Sequence, residues 1–254
     1  MEKLTMLDYV KETPGVLRTN IEQYTTLVEP LMKEVQQKEI KRILLVASGS
    51  SHNACYCARS FVEKVSGLEV KIITPYTFTY YENDAQENDL VLVVTQSGLS
   101  TNAIEALKII KKKQCRAICL TGNKNSDVKD VADVVIEYGV GEELVGYVTK
   151  GVSSLALFLD LFAIAYSGKT EYLEELKKAI HLNEEMIGKA TNFIQLHYKE
   201  FSSMSWVYSC GAGANYGTAL ESALKMGETI HIPSCCYEIE EYIHGPNLQL
   251  TPQY

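Results

Sequence analysis

Short apolar runs alternate with amphipathic stretches along most of this chain. "RILLVAS" (residues 42–48) is apolar almost throughout and breaks at "GSS". That pattern predicts a strand buried on both faces that meets a tight loop. "HNACYCARSFVEKVSG" follows as a helix closed by Gly67, and "EVKIITP" as a second strand. "DLVLVVTQSG" (89–98) is a third strand that again ends in a small, hydroxyl-rich loop. "TNAIEALKIIKKKQ" predicts an amphipathic helix, "CRAICLTG" and "ADVVIEYG" two further strands, and "TKGVSSLALFLDLFAIAY" a largely buried helix. Strand and helix in alternation specify an α/β fold, a parallel sheet covered by helices on both faces in three layers.

The flanks read differently. Residues 1–40 predict a helical segment, with Val16, Ile21, Leu27 and Leu31 apolar and with Thr13 as cap before Pro14 at the first helical position. Residues 169–203 are helical and strongly charged, a connector between units. At 204 the earlier pattern restarts: "MSWVYSCGAGANYGTALESALKMGE" repeats the strand, small-residue turn and helix of "ILLVASGSSHNACYCARSF". The expected organisation is therefore a helical segment (1–40), an α/β domain (41–168), a connector (169–203) and the start of a second copy (204–254) that is cut short. The longest apolar run, residues 155–166, is interrupted by Asp160, so no run is expected to span a membrane, and the N-terminus lacks a signal-peptide pattern.

In an open parallel sheet ligands sit beyond the carboxyl ends of the strands. Two such ends carry the same chemistry here. "SGSS" brings Ser50 and Ser51, and "TQSGLST" brings Thr95, Gln96, Ser97 and Ser100. Each loop offers donors, a glycine that lets the backbone approach closely, and the free N–H groups of a following helix, which together suit a phosphate. Ser, Thr and Gly also make ordinary turns and caps, but their recurrence at two related strand ends favours a ligand. Neither loop is a Walker motif, and "GAGANYG" places its third glycine one residue late for a dinucleotide fingerprint, so a nucleotide is not the expected ligand.

"ALESALKMGETIH" puts Glu221, Lys225 and Glu228 on one helical stripe, beside a packing face of Leu220, Ala223, Leu224 and Gly227. A solvated salt-bridged stripe would look the same. Glu228 and His244 nevertheless form a pair suited to proton transfer. Interconverting an aldose and a ketose, or expelling an amine from an amino-ketose, needs a carboxylate base at the carbon next to the carbonyl or imine. It also needs an acid that opens the ring or protonates the leaving group. The segment between the two residues reads as a loop, and Gly245 and Pro246 would fix His244 in a rigid turn. His52, beside the first loop, could touch ligand or serve only the helix start. The adjacent Cys235 and Cys236 do not suit one metal and no CxxC pair supports them, so neither a metal nor an organic cofactor is expected.

The net charge of -8 argues against a nucleic-acid partner, which needs a basic face. Seven cysteines, an odd number, fit a reducing cytoplasm better than a disulfide framework.

Taken in order, strand–"SGSS"–helix, strand–"TQSGLST"–helix, "VTKG" opening a buried helix, and a G-x-G unit ending in "EYIHGP" resemble the sugar isomerase (SIS) domain family. The pattern is similar to the isomerase half of glucosamine-6-phosphate synthase and to fructosamine-6-phosphate deglycases, and the opening "MLDYVKETPGVL" is similar to the start of those chains. The resemblance implies a flavodoxin-like unit present twice, a homodimer with a shared active site, and a sugar phosphate as the small-molecule partner. It implies phosphate contacts from Ser51, Thr95, Gln96, Ser97 and Ser100, a catalytic glutamate at Glu228 with Glu221 and Lys225 nearby, and a ring-opening histidine at His244, contributed across the dimer interface. Val148 stands where the synthase has a substrate-contacting serine, and Leu99 where it has a glutamate. The resulting expectation is a cofactor-independent isomerase, deglycase or deaminase acting on a 6-phosphorylated ketose or amino-ketose, with deglycase or deaminase chemistry slightly favoured. A non-catalytic phosphosugar sensor is the main rival.

Overall fold

The structure, a computed structural model, describes residues 4–36 and 39–250. Two helices open the chain, α1 (Met6–Glu22) and α2 (Tyr24–Val35). The cap of α1 is Thr5, not Thr13: Thr5 and Asp8 form a reciprocal capping box, which satisfies two otherwise orphaned N–H groups, and Pro14 lies inside the helix.

The strands β1 (Arg42–Ala47), β2 (Glu69–Ile73), β3 (Asp89–Thr95), β4 (Ile118–Thr121) and β5 (Val134–Glu137) form one sheet in the order β2-β1-β3-β4-β5, all parallel. The helices between them are α3 (Gly49–Ser66), α4 (Pro75–Tyr80) and α5 (Thr101–Lys112), and α6 (Lys150–Ser167) follows β5. The short α4 was not visible in the apolar pattern; Thr74 caps it through the Thr77 N–H.

The central strands are continuously apolar because both faces are covered. Ile43 and Leu45 of β1, with Leu90, Leu92 and Val94 of β3, pack against α1, α2, α3 and α6. The alternate residues Leu44, Val46, Val91 and Val93 meet Phe78, Leu107 and Ile110 on the other face. Each side chain so buried contributes roughly 1.5–3 kcal/mol. Helix α6 has a mean hydropathy of 1.3 and is, by length and composition, long enough to cross a membrane. This corrects the expectation that no run reaches that length, since Asp160 does not break the helix; 61% of it is buried inside the protein, as a core helix.

The charged connector is α7 (Tyr172–Leu196) and α8 (Tyr198–Ser202). Strand β6 (Val207–Gly211), α9 (Ala214–Lys225) and strand β7 (Ser234–Glu238) follow, with β6 and β7 paired in parallel, and α10 (Ile239–Ile243) comes last. The segment between Glu228 and His244, expected as a loop, therefore contains a strand and a helix. Cys235 and Cys236 sit on β7, where consecutive side chains point to opposite faces. Helix α9 packs on α3 through Gly217, where an added Cβ would lie 2.5 Å from the Cys57 nitrogen and 2.7 Å from the Asn53 carbonyl oxygen. Gly217 and Ala219 are its buried residues, whereas Gly227, assigned to the packing face, is exposed.

Candidate functional site

The chain leaves β1 toward β2 on one side and returns to β3 on the other, so the carboxyl ends of β1 and β3 flank the point where the strand order reverses. A cleft of about 1240 Å³ opens there. Its walls are the β1–α3 turn (Ser48 to Ser51), the end of β3 and its loop (Val94, Thr95, Gln96, Ser97, Leu99), the segment from Gly139 to Val148, and Leu224 and Glu228.

Five of the six residues assigned to phosphate lie on this wall: Ser50, Ser51, Thr95, Gln96 and Ser97. Ser100 instead caps α5, accepting from the Ala103 N–H at 3.5 Å. The loop turns at Gly98, where φ is +67 and an added Cβ would lie 1.7 Å from the Ser126 hydroxyl, so both the backbone and the space require glycine. The N-terminal turn of α3 and the loop that leads into α5 thus border one space, and a helix N-terminus suits an anion.

Not every assigned side chain is free to touch a ligand. The Ser50 hydroxyl donates to Glu221 at 2.9 Å and accepts from Lys225 at 3.0 Å. The Gln96 amide is also committed: Tyr138 donates to its Oε1 at 3.0 Å, and its Nε2 donates to Glu143 at 2.9 Å. Burial raises the Tyr138 phenol above its ordinary range, with the Glu143 charge as a second cause.

The Glu221, Lys225, Glu228 stripe is neither fully solvated nor a free catalytic trio. Glu221 accepts from Ser50 and, at 2.8 Å, from Asn53, so it fastens α9 to α3. Lys225 donates to Ser50 (3.0 Å) and Glu228 (2.7 Å) and forms an ion pair with Glu221 (3.0 Å). Side-chain exposure rises along the stripe, from 14% at Glu221 and 15% at Lys225 to 33% at Glu228, and of the two carboxylates of the stripe Glu228 is the one that lines the cleft. It sits on a π-helical turn (Met226–Ile230) that extends α9, a device common at functional sites.

His244 follows α10, is exposed, and is not part of the cleft wall. His52 stands edge-on to Tyr56 with ring centroids 5.0 Å apart and does not line the cleft; burial lowers its pKa and favours the neutral ring. Among the described residues no group of three or more His, Cys, Asp and Glu side chains could hold a metal ion.

Glu143 and Tyr138 escaped the sequence reading. The Glu143 carboxylate accepts from the N–H groups of Thr149 (2.8 Å), Lys150 (2.7 Å) and Gly151 (3.3 Å), capping α6 from six residues upstream. A cap normally lies within a residue or two of its helix, so no local signal marked it.

Comparison with known proteins follows the geometry. The sequence profile of the SIS domain matches residues 38–177. The chain is 27% identical over 255 residues to the glutamine–fructose-6-phosphate aminotransferase (isomerizing) of Clostridium perfringens, covering 95% of this chain and 42% of that protein. It spans well under half the length of that relative. Among solved structures it is similar to a Clostridium difficile 630 protein described as a candidate phosphosugar isomerase, with TM-score 0.87 and 27% identity over 98% of this chain and 73% of that one. It shares its fold with the glucosamine-6-phosphate deaminase of Thermotoga maritima, with TM-score 0.75 and 23% identity over 97% of this chain and 73% of that one.

Proposed function

The chain belongs to the SIS domain family, and on that premise we propose that it forms the phosphosugar-binding and proton-transferring part of an enzyme acting on a 6-phosphorylated ketose or amino-ketose. The observation that carries this reading is the meeting of Glu228 with both hydroxyl-rich strand-end loops in one cleft.

The phosphate would take its hydrogen bonds from the α3 N-terminal N–H groups, from the loop before α5, and from Ser51, Thr95 and Ser97. Ser50 and Gln96 would hold those loops in place. Anchoring the phosphate sets the carbon chain across the cleft toward Glu228. There the carboxylate would take the proton from the carbon next to the carbonyl or imine, leaving an enediolate or its amino counterpart, and return it to the adjacent carbon while the O–H or N–H proton passes to the other oxygen; from an amino-ketose this gives an imine, which water hydrolyses to release the amine. Lys225, at 2.7 Å, holds Glu228 oriented for that task. His244 lies outside the cleft wall of its own chain, which supports ring opening by the histidine of a second copy in a homodimer. The repeated pattern from 204 onward supports a second α/β unit of the same kind. Deglycase or deaminase chemistry is slightly preferred over simple isomerisation.

The test is Glu228→Gln against fructose 6-phosphate, glucosamine 6-phosphate and a panel of fructosamine 6-phosphates. We expect turnover of the true substrate to fall by about 10²–10⁴ while its dissociation constant changes by less than about threefold. Turnover equal to the parent would remove Glu228 from the mechanism. Tight binding of a sugar phosphate with no turnover of any by the parent chain would favour the sensor.

A further inference from the structure

Three stretches of the cleft wall lead into helix N-termini, those of α3, α5 and α6, and the first two lack a carboxylate cap. The third is filled by the protein's own Glu143, whose carboxylate takes the Thr149, Lys150 and Gly151 N–H groups and the Gln96 amide. The fit around Gln96 is tight, since a Cβ on Gly151 would lie 1.8 Å from its Oε1. The backbone around Glu143 is braced from behind by α1: the Leu144 N–H donates to the Tyr9 hydroxyl at 3.0 Å, and Lys150 pairs with Glu12 at 3.0 Å. No lysine, arginine or histidine lines the cleft, whereas Glu137, Glu142, Glu143 and Glu228 do.

We propose that Glu143 is a built-in anion. It closes the α6 N-terminus, positions Gln96 and the segment up to Thr149, and so leaves the cleft one seat for an external anion, at the α3 N-terminus and the loop before α5. A ligand with one phosphate is thereby selected over one with two. A second dianion would meet Glu142 and Glu143, neither of which is ion-paired among the described residues, and like charges at close range repel strongly in a partly dehydrated cleft. Glu143 acts through Gln96 and the backbone, so it is a positioning and selectivity residue rather than a catalytic one. The inference rests on the phosphosugar reading for its selectivity half only.

The experiment compares the parent chain with Glu143→Ala, which vacates the seat, and with Glu143→Gln, which keeps its shape without its charge. Dissociation constants for fructose 6-phosphate and fructose 1,6-bisphosphate are measured by calorimetry, and thermal midpoints are measured with sodium formate against sodium chloride. The parent should prefer the monophosphate by about tenfold or more, and both variants should narrow that ratio to within about threefold. Formate, a carboxylate small enough for the vacated seat, should raise the midpoint of Glu143→Ala by about 2–4 °C beyond chloride and leave the parent unmoved. A general loss of stability would not respond to formate. An unchanged ratio in a folded variant, or equal formate shifts in variant and parent, overturns the proposal. If the parent binds neither sugar phosphate, the phosphosugar reading and the selectivity half fail together, and the formate shift still decides whether Glu143 occupies an anion seat.

Discussion

Replacing Gly217 by alanine tests how Glu228 is brought to the cleft. In a helix interior the exchange ordinarily stabilises by about 1 kcal/mol, because alanine has the higher helix propensity. At Gly217 the new Cβ would lie 2.5 Å from the Cys57 nitrogen and 2.7 Å from the Asn53 oxygen, both main-chain atoms of α3 that cannot rotate away. To reach ordinary contact the two helices must part by roughly 1 Å. That stretches the Ser50 and Asn53 bonds to Glu221, now 2.9 and 2.8 Å, beyond useful length. Overpacking costs about 1–3 kcal/mol and hydrogen bonds to a charged group about 1.5–3 kcal/mol, so after the propensity gain we expect a net loss of roughly 2–4 kcal/mol. Urea unfolding followed by circular dichroism measures it. Gly188 on α7 is the control, since nothing lies within 4 Å of a Cβ there, and Gly188→Ala should stabilise by about 0.5–1 kcal/mol. On the phosphosugar reading, a shift of this size at Glu228 should also cost about 10² in turnover. A Gly217→Ala chain as stable as the parent would show that the α3–α9 contact does not hold α9 in place.

Gly98→Ala should destabilise by about 2–3 kcal/mol and weaken inorganic phosphate binding more than tenfold, because φ is +67 and the Cβ would collide with Ser126; calorimetry with phosphate reads the second effect. Asp160 in α6 has Oδ1 buried without a hydrogen-bond partner, and burial holds its pKa well above 3.8. The folded chain therefore keeps a proton that the unfolded chain loses: its contribution is fully present below the ordinary carboxylate pKa and disappears as pH rises through the raised value. Asp160→Asn, measured by urea unfolding, should match the parent within about 0.5 kcal/mol near pH 4 and exceed it by about 1 kcal/mol or more near pH 8.

Much of the fold was legible because its signals are local. Continuous apolar runs such as "RILLVA" and "DLVLVV" mark strands covered on both faces, and the breaks after them mark the loops that wall the cleft. The helical stripe placed Glu228 beside Lys225 because helical spacing is a short-range property. Other features were not legible. Strand β7 was read as loop because a five-residue strand with mixed side chains carries little periodicity. The Thr5 cap lost to the more conspicuous Thr13–Pro14 pair, although its reciprocal bonds to Asp8 are what begin the helix.

By itself, then, the sequence determined the alternating elements, their parallel sheet, the hydroxyl-rich strand ends and a carboxylate at the end of a helix. Only the tertiary structure decided that the β1–α3 turn and the loop before α5 share one cleft with Glu228, that Ser50 and Gln96 are hydrogen-bonded to other side chains of the chain, and that Glu143 closes the N-terminus of α6. The physical reason is range: caps, turns and periodicity are written within a few residues. Which buried donor meets which acceptor across the chain is settled only when the packed helices leave no unpaired group behind.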